Sequence, residues 1–474
     1  MKSRIKIQFL ASAVVLGLCC QLLSCRKDDA LNPALPATTA SDATAGTGFS
    51  KTYTVGAGSG SLTVDGKATA YASNSLIVVK PGTYQTITFQ NLSNVTIENG
   101  SGAVIMDGTS DMYAGVNFTT CNNVTLTRNP ALASTVPYGF ICRNVSYRPT
   151  TIYGVNTDLT VAWVSYSNIG DYTIHVTYST PVTWKGTNAT LQGLNLKFSN
   201  CSFTNCNGNP FNVSGEVTTS GVTGLQKGFT VDSCIFTSCN SGDIIWGGAM
   251  DQYNIYDNMF SNINATNNDD NGLAHIIGNG NFYRNYANNY QGHMIRMWTI
   301  SFGTTPETCL VYDNIGLNSR KYSPFEWQST AGDNVPVAPN TTYVNIRLNN
   351  NTGGNLNTSE TTSFLACLVD NYGMPAKSTQ EVYNNLLYNT YTPSGTTAKF
   401  FQFASATSAA TLANQGNLYL STSSVTDFVA SLTSLSLEAS SPAKNKGVPG
   451  HLISPYDILS IPFYAPHPSI GAVE

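Results

Sequence analysis

The stretch VDSCIFTSCN, Val231–Asn240, decides how the chain is read. A near copy, FSNCSFTNCN, occupies Phe198–Asn207. Four further stretches share its frame: IYDNMFSNIN from Ile255, FYRNYANNYQ from Phe282, VYDNIGLNSR from Val311 and VYNNLLYNTY from Val382. Each has an apolar residue, two variable residues, a small polar residue and then alternating apolar positions. The fourth column holds Cys201, Cys234, Asn258, Asn285, Asn314 and Asn385, with Asn349 and Asn417 fitting less cleanly. From Cys201 to Asn314 the successive spacings are 33, 24, 27 and 29 residues. A preserved local pattern at unequal spacing describes coils of one design joined by loops of variable length.

Within each coil the apolar period is two, which is the period of a strand. ITFQNLSNVTIENG (Ile87–Gly100) and VNFTTCNNVTLTRN (Val116–Asn129) carry a related double-strand rhythm upstream. The expected fold is therefore all-β, a parallel β-helix solenoid whose coils stack ~4.8 Å apart with like side chains in register. An inward Asn then bonds to the Asn or backbone of the next rung, which satisfies a buried amide. The cysteines occupy the same ladder position. A metal site would want C-x₂-C pairs or accompanying His, and none is near. Bridges Cys201–Cys234 and Cys206–Cys239 between rungs are one alternative. Small buried thiols are the other, and the simpler.

Such an elongated architecture suits 474 residues, too many for one compact core. Only 11% of residues are charged, yet 41% are hydrophobic and 11% aromatic, enough to exclude wholesale disorder. A net charge of −4 gives no reason to expect nucleic acid as a partner.

The N-terminus reads as a targeting signal over 1–24. Lys2, Arg4 and Lys6 form a basic region and Phe9–Leu18 an apolar one, shorter than the ~20 residues of a membrane span. LLSC, Leu22–Cys25, resembles a bacterial lipobox, which makes Cys25 the expected lipidation site and the membrane a partner through that anchor. RKDD, Arg26–Asp29, resembles the acidic export tag of surface lipoproteins, which implies an outer-membrane or cell-surface location. Residues 25–50 read as a flexible tether, 51–420 as the β-helix and 421–474 as a short C-terminal capping segment.

IVVKPGTYQTITFQNLSNVTIENGSGAVIMDG (Ile77–Gly108) is similar to the opening coils of right-handed parallel β-helices of the pectate-lyase-like superfamily. SSPAKNKGVPG (Ser440–Gly450) and SIGAVE (Ser469–Glu474) resemble the closing segments of such secreted proteins. The chain is expected to be a monomer, and the resemblance implies a polysaccharide partner. It leaves the chemistry open among lyases, hydrolases, epimerases, esterases and non-catalytic members. The polygalacturonase-like motifs are only superficially present. NTD at Asn156–Asp158 and Asp269–Asp270 lie 111 residues apart, too many coils, and no R-x-K follows Gly292–His293. Asp243, Asp251 and Asp257 are candidates for a calcium site of the pectate-lyase type. Asp257 lies in a YDN turn that Asp313 repeats, so a solvated turn is the simpler reading and no cofactor is expected.

The richest chemistry follows the ladder turns, in GDIIWG (242–247), LAHIIG (273–278), HMIRMW (293–298), PFEWQ (324–328) and KFFQF (399–403). With Ile245, Ile276, Ile295, Met297, Phe325, Trp327, Phe401 and Phe403 inward, alternation sends Trp246, His275, Arg296, Trp298, Glu326 and Gln402 outward on one face. A one-residue slip would instead turn His293 and Ile295 outward. Aromatic faces stack on sugars and Arg or Lys holds uronate carboxylates, which points to acidic polysaccharide. Trp246, His275, Trp298, Trp327 and Gln402 are the expected substrate contacts. Lys321, Arg296, Arg320, His293 and Glu326 are the catalytic candidates. By analogy with the superfamily, Lys321 would be the base of a lyase and Arg296 or Arg320 its acid. His293 or His275 is the alternative base. A hydrolase would need Glu326 paired with Asp243 or Asp251. A non-catalytic glycan-binding surface protein is the rival reading. His175, His451 and His467 lie outside this cluster and read as structural or exposed.

Overall fold

The computed structural model describes residues 48–474 apart from 178–181, 184–188, 267–271, 330–337, 359–366, 372, 376, 392–398, 404–410, 421–434, 438 and 465. The signal segment, Cys25, most of the tether and Asp269–Asp270 lie outside the described residues. Strands from successive coils pair in parallel along three walls, so the chain is a parallel β-helix. The first wall includes Thr230–Asp232, Glu307–Tyr312, Val344–Asn349 and Thr379–Tyr383. The second includes Ile235–Thr237, Met259–Ser261, Tyr286–Tyr290, Ile315–Ser319 and Leu386–Tyr388. The third includes Phe211–Val213, His293–Thr299, Phe325–Ser329, Cys367–Asn371 and Lys399–Phe403. Ile245–Tyr256 and Gly272–Tyr283 are long enough to serve the third wall at their start and the first at their end.

The corner between the first and second walls is where the repeat does its work. Asp257, Arg284, Asp313, Asn350 and Asn384 occupy the left-handed region, which turns the chain within one residue. The next residue points inward and must satisfy itself. Asn258 Nδ2 donates to Val231 O at 2.9 Å and to Asn285 Oδ1 at 3.0 Å, and Asn285 and Asn314 repeat the pattern on later rungs. Each side-chain oxygen also accepts the backbone N–H of the residue one rung before it, as Asn285 Oδ1 does from Asn258 N at 3.1 Å. The ladder runs on through Asn351, Asn385 and Asn417. Asn351, not Asn349, is therefore the member from that coil. Asn349 ends its strand and donates instead to His451 O, in the C-terminal segment. Asn417 belongs fully.

At the other end of the ladder Cys201 and Cys234 take the same position. Cys201 N donates to Cys234 Sγ at 3.4 Å and Cys234 N to Asn258 Oδ1 at 3.0 Å. All eight described cysteines are buried and none forms a disulfide, so the thiols are core side chains with weak acceptor capacity. Beside them, Tyr166, Phe203, Phe236 and Phe260 stack on consecutive rungs, with centroids 5.1, 4.7 and 4.8 Å apart. Those spacings are close to the inter-strand distance itself.

Described parts of the C-terminal segment lie alongside the second wall. Leu435, Leu437, Ile458, Ile470 and Val473 pack on Ile315, Leu317, Leu386 and Tyr388. Ala472 N donates to Thr352 Oγ1 at 2.9 Å and Gly471 N to Asn384 O at 2.7 Å. This segment thus pairs with the wall at its corner.

Asn285→Ala removes bonds to two rungs and leaves a buried N–H and a buried carbonyl unpaired. It is expected to cost ~2–3 kcal/mol in urea denaturation. A loss below about 0.5 kcal/mol, the range of surface substitutions, would show that the ladder is incidental.

Candidate functional site

The outward positions of the third wall form one continuous ladder. Thr151, His175, Asn212, Trp246, His275, Arg296, Glu326, Asp370 and Gln402 are successive partners in the strand register. The expected register is the one observed, so Arg296 lies outward and Ile295 in the core. Side chains close in sequence number are of no consequence here. What matters is that residues about 20–45 apart become neighbours ~4.8 Å apart.

Trp246, His275 and Trp298 make a compact aromatic slot. The His275 ring stands edge-to-face against Trp246 at 4.6 Å and against Trp298 at 4.7 Å. Its Nδ1 is 3.7 Å from Asp243 Oδ2. Among the described residues neither His275 Nε2 nor Trp298 Nε1 has a hydrogen-bond partner, although both atoms are buried. Trp246 is half-buried, and Trp298 also packs on a small apolar cluster that includes Ile300 and Val222. The Arg296 guanidinium lies 5.6 Å from the Trp298 ring.

Arg296, Glu326 and His293 come together, but as a sealed ion network. Glu326 Oε1 accepts from Arg296 Nε at 2.7 Å and from Gln328 Nε2 at 2.8 Å. Glu326 Oε2 is 3.0 Å from His293 Nε2. His293 Nδ1 is 2.7 Å from Ser323 O, so both ring nitrogens face acceptors, the arrangement of an imidazolium. Burial works to raise the Glu326 carboxyl, yet His293 and Arg296 outweigh it and hold the group down at about 2. Glu326 and His293 have no exposure, and Arg296 keeps a little. Both Glu326 oxygens are thus taken, Oε1 by two donors and Oε2 by the ion pair. The expectation of Glu326 as a catalytic acid or hydrolase partner fails on this pairing, and so does His293 as a base, since both its ring nitrogens already face acceptors.

Three other expectations change. Trp327 is fully buried in the core, where Nε1 donates to Gln380 Oε1 at 3.1 Å, so it is no substrate contact. Its odd position in an inward register already predicted that. Arg320 turns back to donate to Asn264 O, and burial lowers its pKa. Lys321 lies at the edge of the network, its Nζ 5.1 Å from the Tyr322 ring, which leans on His293 at 5.4 Å. Gln402 continues the ladder in the backbone register, and its side chain lies outside the described residues. The calcium candidates do not converge: Asp251 pairs with Lys227 at 2.7 Å, Asp257 with Arg284 at 2.7 Å, and Asp243 faces His275. Of the hydrolase-like motifs, Asn156 accepts from the backbone N–H of Cys121 in the core, and Asp269–Asp270 lies outside the described residues.

Sequence reasoning missed Asp370, the next ladder residue after Glu326. It also missed a tyrosine group at the early coils. Arg148 lies 5.0 and 4.9 Å from the rings of Tyr147 and Tyr172, and Tyr113 stands against Tyr147 at 5.3 Å. His175 joins them through Arg148 Nη1 at 3.1 Å, and burial with Arg148 lowers its pKa to about 4. The available signal was position: Tyr113, Tyr147 and Tyr172 each fall shortly before a third-wall strand.

No protein-family model matches the chain, and no curated protein sequence matches it. Among solved structures it resembles pectate lyase Pel9A, with a TM-score of 0.37 and 14% identity over 85% of this chain and 89% of that one. It also resembles the PL6 family polysaccharide lyase Pedsa3628 from Pseudopedobacter saltans, with a TM-score of 0.35 and 10% identity over 74% of this chain and 92% of that one. The reading of chemistry rests on the residues themselves.

The Glu326 network gives a signed pH dependence. A carboxyl held at about 2, below its ordinary 4.5, contributes stability that is full above pH 4.5 and is lost as pH falls through that window. Glu326→Gln removes this contribution. Its stability deficit against wild type should therefore be large near pH 7 and shrink between about pH 4.5 and 2 in acid titrations followed by circular dichroism. A deficit that stays constant with pH would mean that Glu326 is not ionised in the folded protein.

Proposed function

We propose that the protein is a carbohydrate-active β-helix that engages acidic, uronate-bearing polysaccharide on its third wall, with β-elimination as its reaction. One observation carries this: Trp246, His275, Trp298 and Arg296 are contiguous on consecutive coils, and His275 Nε2 has no hydrogen-bond partner among the described residues. Indole faces suit sugar C–H surfaces. In the elimination, His275 Nε2 takes the C5 proton beside the uronate carboxyl. The charge that develops on that carboxylate lies next to the Arg296 guanidinium. The C4–O bond then breaks, a C4=C5 double bond forms and the departing oxygen takes a proton from solvent. Glu326 holds Arg296 in place rather than touching substrate.

Non-catalytic glycan binding is the second reading. The observation in its favour is that Glu326 and His293 are sealed, which leaves His275 as the acid–base candidate among the described residues of the slot.

Incubation with a panel of uronate polymers, followed by ultraviolet absorbance of the unsaturated product, separates the two. Product that His275→Ala abolishes and Lys321→Ala leaves intact supports the lyase with this base. Retention on a polysaccharide gel without product supports the binder. Neither product nor retention sinks both.

We also propose display at a bacterial outer membrane through lipid on Cys25, on the strength of Leu22–Cys25 and the Arg26–Asp29 tag. Cys25→Ser should shift the protein from the membrane to the soluble fraction and abolish labelling with a fatty-acid probe. Unchanged fractionation would refute the anchor.

A further inference from the structure

The first wall carries an open trough of about 500 Å³ that none of the third-wall chemistry uses. Its floor is an outward ladder, in which Thr125, Thr160, Lys197, Thr230 and Asn254 are successive register partners. Four rung steps make it roughly 19 Å long. Asn195 and Asp158 form one side, with Asn195 Nδ2 donating to Asp158 Oδ1 at 2.8 Å. Lys227 lines the same edge, immediately before Gly228, and its backbone carbonyl accepts from Asn195 N at 2.8 Å.

Each lysine is paired with an aspartate of the next coil. Lys197 Nζ is 3.2 Å from Asp232 Oδ1 and Lys227 Nζ is 2.7 Å from Asp251 Oδ2. Both carboxylates are nearly buried, while the lysine side chains remain 38% and 27% exposed. Each carboxylate has a further donor: Ser199 Oγ at 2.9 Å on Asp232 and Asn279 Nδ2 at 3.0 Å on Asp251. An ammonium has three donors, so one bond to the wall positions the group and leaves capacity for a ligand. Fixing a lysine in advance reduces the ordering entropy that binding would otherwise cost.

The lining also says what the ligand is not. Apart from Lys197, Lys227 and Asp158 it consists of amides, hydroxyls and one glycine, with no aromatic or aliphatic side chain. An apolar ligand or an amphipathic peptide has nothing to bury there. Amides and hydroxyls in rows match a polyhydroxylated chain. Each ammonium is already balanced by a buried aspartate, and its remaining N–H donors can bond carboxylate oxygens on that chain.

We propose that this trough is a second glycan site, one that holds a uronate oligosaccharide by hydrogen bonds and by Lys197 and Lys227, without catalysis. It faces outward from a different wall than His275 and stands on its own observation. A long polymer would then be held at a place remote from the slot, which raises the local concentration of chain at the other wall.

The test is isothermal titration with oligogalacturonate and oligoalginate, and with methyl-esterified oligogalacturonate as the uncharged control. It uses the Trp246→Ala/His275→Ala protein, so that the third wall is disabled. Binding should persist there, and the ester should bind more weakly. Lys197→Met/Lys227→Met should then weaken binding by about tenfold or more. Removing the lysines leaves two carboxylates without their cations and risks the fold, so Thr160→Tyr provides the second variant. It fills the trough at a half-exposed position and replaces no member of either ion pair. An unchanged melting temperature with binding lost supports the proposal. Binding that vanishes in the Trp246→Ala/His275→Ala background overturns it and leaves the third-wall reading intact. Affinity unmoved by Thr160→Tyr, or equal for the ester, also overturns it. If the trough variants abolish binding while the third-wall variants change neither binding nor turnover, the reading of the third wall fails and this one stands.

Discussion

Everything in this molecule depends on the separation of one coil from the next. Parallel strands pair at one distance, and the side chains of consecutive coils must be content at that distance. Stacked phenylalanines are, at 4.7 and 4.8 Å. So is an asparagine, because its amide reaches a backbone carbonyl on one rung and the amide oxygen of the next. The corner asparagines therefore satisfy buried polar groups that the turn itself exposes. Cysteine takes the early rungs because a thiol tolerates the same space while asking for weaker bonds.

The same spacing builds the outward faces, and there it serves two ends. Tyr256, Tyr283 and Tyr312 stack at 4.8 Å with ring planes within 4° of parallel. Their faces cover one another, so the stack strengthens the wall and offers a ligand only edges. On the third wall the ladder instead alternates ring, imidazole and guanidinium, and among the described residues His275 Nε2 and Trp298 Nε1 have no hydrogen-bond partner. Two rungs later the ladder is a closed ion network again, with Glu326 among three donors. A charged residue at an outward position is thus no proof of function. What separates His275 from Glu326 is that His275 Nε2 has neither a hydrogen bond nor an ion pair among the described residues, whereas both Glu326 oxygens are paired.

Much of the fold was legible before any coordinates. The repeat around Cys234 and Asn258 carried the strand period, the corner and the inward amide, since all three are local. The in-register ladder from Trp246 through Arg296 to Gln402 followed from alternation alone. The exceptions are instructive. Asn349 looked like the ladder residue of its coil, but the turn lies one residue later and Asn351 is the one that points inward. Trp327 read as a sugar contact because tryptophan is common at such sites, although its parity in the strand placed it inside.

The amino-acid sequence by itself determined the coil, its period and the face on which each strand residue lies, because those follow from backbone geometry within a few residues. Only the tertiary structure decided which outward residues remain available. Burial of Glu326 and His293, the retreat of Arg320 to Asn264, and the trough around Lys197 and Lys227 all depend on how side chains from separate coils and turns meet. Such meetings are set by turn lengths and packing across the stack, and no window of sequence contains both partners.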